Sequence, residues 1–327
     1  MRLAPFLAIV LLLAACGAGD EPTSAGRQGS GPATLLFAST GENGSWDVQV
    51  EDVASGERTN LSRTPSRGRV ESDDRSPALS PDGTQVAYTS TADHVSDGAV
   101  DEEIFVMEAD GSEPRRLTND ADADGQPQWT PDGRIAFTTC PSSQDAVPDC
   151  RLDVISPDGS RRETLGSDLG LASGVALSRD GERIVYPRVD ETLRSLGLFV
   201  RELGSQEERR VGDGGGAQWS PDGERIAFLT ARDGNGRCLF RECSGPAAEL
   251  YVADADGSNE RRLTETAATE GFAAWTPDGG WILFSRIRDE EDDYDIYAVR
   301  ADGSCEVRSR TRWCGSGRPR GAARPIR

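Results

Sequence analysis

The chain of 327 residues carries 36 basic against 56 acidic side chains, a net charge of −20, and every basic residue is arginine. That balance excludes a nucleic-acid partner, whose phosphates need a basic surface, and suits a protein that meets solvent, cations or basic surfaces. A hydrophobic fraction of 36% with 37 Gly and 18 Pro favours many short strands and turns over long helices.

The chain opens with a leader. Arg2 is a short basic head, and residues 3–13 form an apolar stretch too short to span a bilayer as a stable helix. The stretch ends Leu13-Ala14-Ala15-Cys16. Small residues ahead of a cysteine resemble the lipobox of bacterial lipoproteins, whose precursors are cut before the cysteine, which is then lipidated. The resemblance implies that residues 1–15 are a signal peptide and that Cys16 is the lipidated mature N-terminus. It also implies a place in the extracytoplasmic cell envelope, with membrane contact through the lipid anchor only. An ordinary signal peptide with a chance cysteine is the alternative. Residues 16–33, rich in Gly, Ser, Pro and Ala, read as a flexible tether with a reach of about 20 Å.

From residue 34 onward one unit recurs. Leu35-Leu36-Phe37, 46–53 and 57–61 read as the second, third and fourth strands of a first unit whose own first strand is missing. A turn then repeats as Ser80-Pro81-Asp82-Gly83, Thr130-Pro131-Asp132-Gly133, Ser178-Arg179-Asp180-Gly181, Ser220-Pro221-Asp222-Gly223 and Thr276-Pro277-Asp278-Gly279, at spacings of 50, 48, 42 and 56. Proline presets φ at the second position, the hydroxyl at the first can bond back to the backbone, and glycine accommodates the fourth. Each turn leads into a short apolar strand such as Ile226-Ala227-Phe228. Trp129, Trp219 and Trp275 precede three of the turns and read as packing between repeats rather than a carbohydrate platform. Third strands such as Leu250-Tyr251-Val252 follow. Fourth strands rich in arginine, Arg115-Arg116, Arg209-Arg210 and Arg261-Arg262, suit an outer edge where charge discourages pairing.

Four strands per repeat at this period predict propeller blades. Five full units and the incomplete first one give a six-bladed, all-β propeller of four-stranded antiparallel blades over residues 34–327. Residues 317–325 are expected to supply the missing inner strand, so that strands from both termini close the ring. The repeat written in 219–228 and 250–264 is similar to the propeller repeats of the TolB family. The similarity extends over roughly residues 34–325 and implies the same fold.

Strand parity divides the surface. The short turns share one face. The long segments, 63–75, 91–103, 140–150, 231–249 and 286–295, share the other, where binding is expected. That face gathers Glu71, Asp73, Asp74, Asp93, Asp97, Asp101, Glu102, Glu103 and the run Asp289-Glu290-Glu291-Asp292-Asp293. It reads as a solvated acidic rim or as a surface for cations or a basic partner, with Asp93, Asp97, Asp101, Asp289, Glu290 and Asp292 as its candidate residues. Asp120, Asp122 and Asp124 alternate ahead of Gly125, as in the opening of calcium loops, so calcium is the one cofactor weighed. Pro131 stands where an EF-hand needs glutamate, which leaves an Asp-rich turn as the alternative. Apart from Cys16, six cysteines admit 15 pairings. Local spacing favours Cys140–Cys150, Cys238–Cys243 and Cys305–Cys314. With His94 the only histidine and no G-x-S-x-G, neither a Ser-His-Asp system nor a His-ligated metal is supported.

The expectation is a monomeric, non-enzymatic binding or scaffold module for a protein or cell-envelope ligand. The alternative is a carboxylate-based hydrolase or lyase acting on an envelope polysaccharide.

Overall fold

Strands this short cannot bury their faces alone, and a hairpin needs further layers to be stable. The computed structural model describes residues 9–12, 34–40, 45–52, 55–62, 72–92, 102–141, 150–167, 169, 174–189, 195–232, 248–266, 268–287 and 294–308. These form six four-stranded antiparallel sheets, the blades of a propeller, with no helix among the described residues. Blade 1 contains β1 (Ile9–Leu12), β2 (Thr34–Thr40), β3 (Trp46–Asp52) and β4 (Arg58–Asn60). Blade 2 contains β5 (Asp74–Leu79), β6 (Gln85–Ser90), β7 (Glu103–Glu108) and β8 (Arg115–Arg116). Blade 3 contains β9 (Ala123–Trp129), β10 (Ile135–Cys140), β11 (Arg151–Ile155) and β12 (Arg162–Gly166). Blade 4 contains β13 (Ala176–Leu177), β14 (Arg183–Val189), β15 (Ser195–Glu202) and β16 (Glu208–Gly212). Blade 5 contains β17 (Gly215–Trp219), β18 (Arg225–Thr230), β19 (Glu249–Asp254) and β20 (Arg261–Arg262). Blade 6 contains β21 (Glu270–Trp275), β22 (Trp281–Ile287), β23 (Tyr294–Arg300) and β24 (Glu306–Arg308).

The core lies between blades. Alternation sends one face of each second strand to the preceding blade and the other to the next. Val86 and Tyr88 pack with Leu36 of blade 1, whereas Ala87 packs with Ile135 and Phe137 of blade 3. The same rule closes the circle, since Trp281 and Leu283 of blade 6 meet Leu35 and Phe37 of blade 1.

The repeated turn is built as its sequence suggests. In blade 5 the Gly223 amide donates to the Ser220 carbonyl (2.9 Å), the Arg225 amide donates to Ser220 Oγ (2.9 Å), and the Glu224 amide donates to Asp222 Oδ1 (3.0 Å). Gly223 sits at φ 69°, and a Cβ there would lie 2.7 Å from the Arg183 guanidinium. That arginine crosses from blade 4, stacks on Trp219 (4.7 Å to the ring centre) and donates to the Gly223 carbonyl (3.0 Å). Arg225 repeats the latch on Trp275 and the Gly279 carbonyl of blade 6. The indole N–H of each repeat tryptophan donates back across the junction: Trp129 to Ala78, Trp219 to Ala176 and Trp275 to Gln218 carbonyls.

Two expectations are revised. The inner place of blade 1, assigned on sequence to residues 317–325, is taken by Ile9–Leu12, paired antiparallel with β2 from Ile9↔Phe37 to Leu12↔Thr34. An uninterrupted Ile-Val-Leu-Leu run is strongly β-prone. Residues 317–325 lie outside the described residues. The paired arginines of the fourth strands face outward as edge charges in Arg209-Arg210, both exposed, but not in the other two pairs. Arg115 and Arg261 are exposed, but Arg116 and Arg262 turn back to pair with the buried Glu103 and Glu249 of their own third strands.

Candidate functional site

The short turns, 80–84 in blade 2 and 220–224 in blade 5, lie on one face of the disc. The second strands end and the third strands begin on the other, at Ser90 and Glu103, Cys140 and Arg151, Thr230 and Glu249, and Ile287 and Tyr294. Asp93, Asp97, Asp101, Asp289, Glu290 and Asp292 fall between these strand ends in the sequence and lie outside the described residues, as do Glu71, Glu291, Asp293 and His94.

Below the loop rim lies a layer of acid–arginine junctions. At the join of blades 2 and 3, Thr118 Oγ1 receives the Ile104 amide (2.9 Å) and donates to Glu103 (2.6 Å). Arg116 pairs with the same glutamate and donates to the Thr118 carbonyl (2.6 Å). The join of blades 5 and 6 repeats it. Thr264 Oγ1 receives the Leu250 amide (2.9 Å) and lies between the carboxylates of Glu249 and Glu270, and Arg262 pairs with Glu249 (2.9 Å). Arg286 then clamps Glu270 and Glu306, each at 2.6 Å.

Asp74 and Glu103, expected on the acidic rim, belong to this layer. Both are buried, Asp74 accepting from Ser90 and Glu103 held by Arg116 and Thr118. Their strands begin at the loop face, so the first side chain of each points into a junction rather than into water. Asp73 and Glu102 stay at the surface, beside Arg75.

The alternating aspartates are drawn apart by two guanidiniums. Arg162 reaches Asp120 (2.7 Å), Asp124 (3.3 Å) and Asp153 (2.8 Å), and Arg151 reaches Asp122 (3.0 Å) and Asp153 (3.1 Å). Thr139 Oγ1 faces both Asp124 (2.7 Å) and Asp153 (3.3 Å). Among the described residues no three His, Cys, Asp or Glu side chains form a group that could hold a metal ion. A calcium ion would have to displace Arg162. Millimolar calcium should therefore leave the melting temperature unchanged; a rise that disappears in Asp122→Ala would establish the ion.

The close carboxylate pairs Asp124–Asp153 and Glu249–Glu270 are 0–2% exposed, so a saccharide has no access to them. Their chemistry is that of internal counter-ions. Burial raises the Asp124 carboxyl to about 6, against the opposing pull of Thr139 and Arg162. Because the folded value lies above the unfolded one, protonation favours the folded state. This contribution to stability is fully present below about pH 4 and is lost as pH rises toward 6. Asp124→Asn should flatten the stability difference across that window, by up to roughly 3 kcal/mol. Melting temperatures of both proteins from pH 4 to 7 measure it; parallel curves would show that Asp124 does not titrate there.

Cys140 and Cys150 form a disulfide (Cα–Cα 4.3 Å) that staples the base of the blade 3 loop. Cys305 is disulfide-bonded as well, while Cys314, Cys238 and Cys243 lie outside the described residues. Disulfides of this kind belong to an oxidising, extracytoplasmic compartment.

No protein-family model matches the chain. It is 26% identical over 227 residues to the uncharacterized peptidase YuxL of Bacillus subtilis, an alignment covering 68% of this chain and 31% of that protein. It is 30% identical over 272 residues to tricorn protease homolog 1 of Streptomyces coelicolor, covering 76% of this chain and 23% of that protein. The chain thus spans about a third or less of these curated relatives. The peptidase names correct the expectation of a non-enzymatic protein: the relatives found by sequence point toward enzymatic activity. Among solved structures, TolB from Acinetobacter baumannii superposes with a TM-score of 0.59 at 15% identity, covering 84% of this chain and 62% of that one. At that identity the likeness is one of fold, and the fold is a TolB-like β-propeller.

Proposed function

We propose that this propeller is a lipid-anchored binding module of the cell envelope that takes a polypeptide ligand on its loop face. The observation that carries the reading is the asymmetry of the disc. The turn face repeats from blade to blade and is latched shut by Arg183 and Arg225. The second strands end and the third strands begin on the other face, where loops carried on a rigid frame can bind. Polypeptide is favoured over saccharide because the named relatives are peptidases. The net charge of −20 favours a basic segment. Anchoring through Cys16 follows from the lipobox resemblance.

Fluorescence anisotropy with basic, neutral and acidic peptides and with oligosaccharides tests the reading. Basic peptides should bind, and more weakly as salt rises. Retention of oligosaccharides alone would overturn it. The second reading, peptide hydrolysis, rests on the same relatives. Mass spectrometry of the incubated peptides separates the two, since intact ligand marks binding and defined fragments mark turnover.

A further inference from the structure

We propose that the guanidinium of Arg201, buried where blade 4 meets blade 3, is the seat of a small inorganic anion of chloride size.

Two arginines are buried among the described residues, Arg201 (5% exposed) and Arg286 (7%). Arg286 is clamped between Glu270 and Glu306. Arg201 pairs with no carboxylate among the described residues. Its Nη2 donates to the Ser167 carbonyl of blade 3 (2.9 Å), and its Nε–H, also buried, has no hydrogen-bond partner.

The place itself belongs to the apolar core. Arg201 stands opposite Ile184, on the face that blade 4 turns to blade 3. By register its counterparts are Met107 opposite Val86, Ile155 opposite Ile135, Ala253 opposite Ile226 and Val299 opposite Ile282. Each of the four packs in the apolar cluster shared with the preceding blade. Blade 1 does carry a charge there, Glu51 opposite Leu35, and supplies Arg58 to meet it (2.6 Å). Blade 4 carries the charge without the partner.

The surroundings add to the imbalance. Glu208 lies across the ladder from Arg201, yet both its oxygens are engaged. Oε2 receives the Tyr186 hydroxyl (2.6 Å) and Oε1 pairs with Arg188. Two guanidiniums thus share one carboxylate, which leaves one positive charge in excess. The Arg201 head lies over the Tyr186 ring (5.6 Å to its centre), and Gly166 of blade 3 makes room for it, since a Cβ there would stand 3.1 Å from Nη2.

An arginine cannot shed its charge at neutral pH, and an uncompensated charge at this depth is costly. The ring and the carbonyl offset part of that cost. A monovalent anion on the Nε–H supplies both the missing acceptor and the missing charge. The enclosure excludes a peptide or a saccharide and restricts the occupant to a simple ion. Bound there, the anion ties blade 4 to the Gly166-Ser167 end of blade 3.

Melting temperatures of the full chain in sodium chloride and in sodium gluconate, at equal ionic strength, test the proposal, because gluconate is too large to enter. Chloride should raise the melting temperature by roughly 2–4 °C once it stands about tenfold above its Kd. Arg201→Met, which copies Met107 of blade 2, should lose the difference between the two salts. Should that variant fail to fold, a crystal of the native chain soaked in bromide decides, with an anomalous peak expected beside Arg201 Nε. No chloride response in the native chain, an equal response in Arg201→Met, or a water at Nε without anomalous signal would overturn the site. A native chain indifferent to chloride whose Asp168→Asn variant responds would give Arg201 to the carboxylate next to Ser167 and overturn it as well.

Discussion

Arg286→Met should lower the unfolding free energy by roughly 3–5 kcal/mol, the cost of breaking a buried ion pair from one side. Arg286 is 7% exposed and Glu270 2%, so neither can exchange its partner for water. The guanidinium donates twice to Glu270 (2.6 and 3.0 Å), pairs with Glu306, and lies over the rings of Phe284 and Tyr297. Burial pushes the Glu270 carboxyl above its ordinary range, opposed by Thr264 and Arg286. Removal of the arginine leaves Glu249 and Glu270 facing each other across Thr264, with Arg262 on the Glu249 side. Glu270→Gln added to Arg286→Met should recover part of the loss, because the uncompensated charge goes with it. Arg161→Met is the control: Arg161 is 73% exposed beside Glu163, and its loss should stay within about 1 kcal/mol. Urea unfolding of the four proteins gives the comparison, and an Arg286→Met loss no larger than the control would show that water reaches the junction.

The repeat was legible in the sequence because turn chemistry is local. Ser220-Pro221-Asp222-Gly223 specifies its own hydrogen bonds, and five agreeing copies specify a ring. The acid–arginine junctions were not legible, because their partners come from separate strands: Asp124 with Arg162, Glu270 with Arg286. The threonine of Arg-Arg-Leu-Thr did carry a signal. Thr118 and Thr264 recur at the same place in their repeats, where each receives a third-strand amide and faces a buried glutamate. The alternation of Asp120, Asp122 and Asp124 suggested a cation because sequence spacing shows where carboxylates are, not which guanidinium reaches them first. Inner strands were the hardest to read. Their bulges admit Gly, Pro and polar residues that a period-two pattern rejects.

Trp219→Ala should cost about 3–5 kcal/mol, in the range of large aromatic truncations in a core. Trp219 is 7% exposed and packs in the cluster that joins blades 4 and 5, with Val185, Leu198, Phe228 and Tyr251. Three separate ties depend on it: the packing itself, the indole N–H to the Ala176 carbonyl (3.0 Å), and the face on which Arg183 rests. Trp219→Phe keeps a ring for Arg183 and loses the hydrogen bond, leaving a buried carbonyl unpaired, so its cost should fall to about 1–3 kcal/mol. The cation–π part is isolated by a double-mutant cycle with Arg183→Met. A coupling of about 0.5–1 kcal/mol is expected, since Arg183 remains partly exposed. Trp275→Ala should behave alike, because Arg225 and the Gln218 carbonyl repeat the arrangement one blade on. A loss below about 1 kcal/mol in Trp219→Ala would mean that neither the packing of the indole nor its two ties on the turn face hold blades 4 and 5 together. A full loss in Trp219→Ala with a measurable coupling to Arg183 would show that the turn face adds its own tie to the apolar packing between blades 4 and 5.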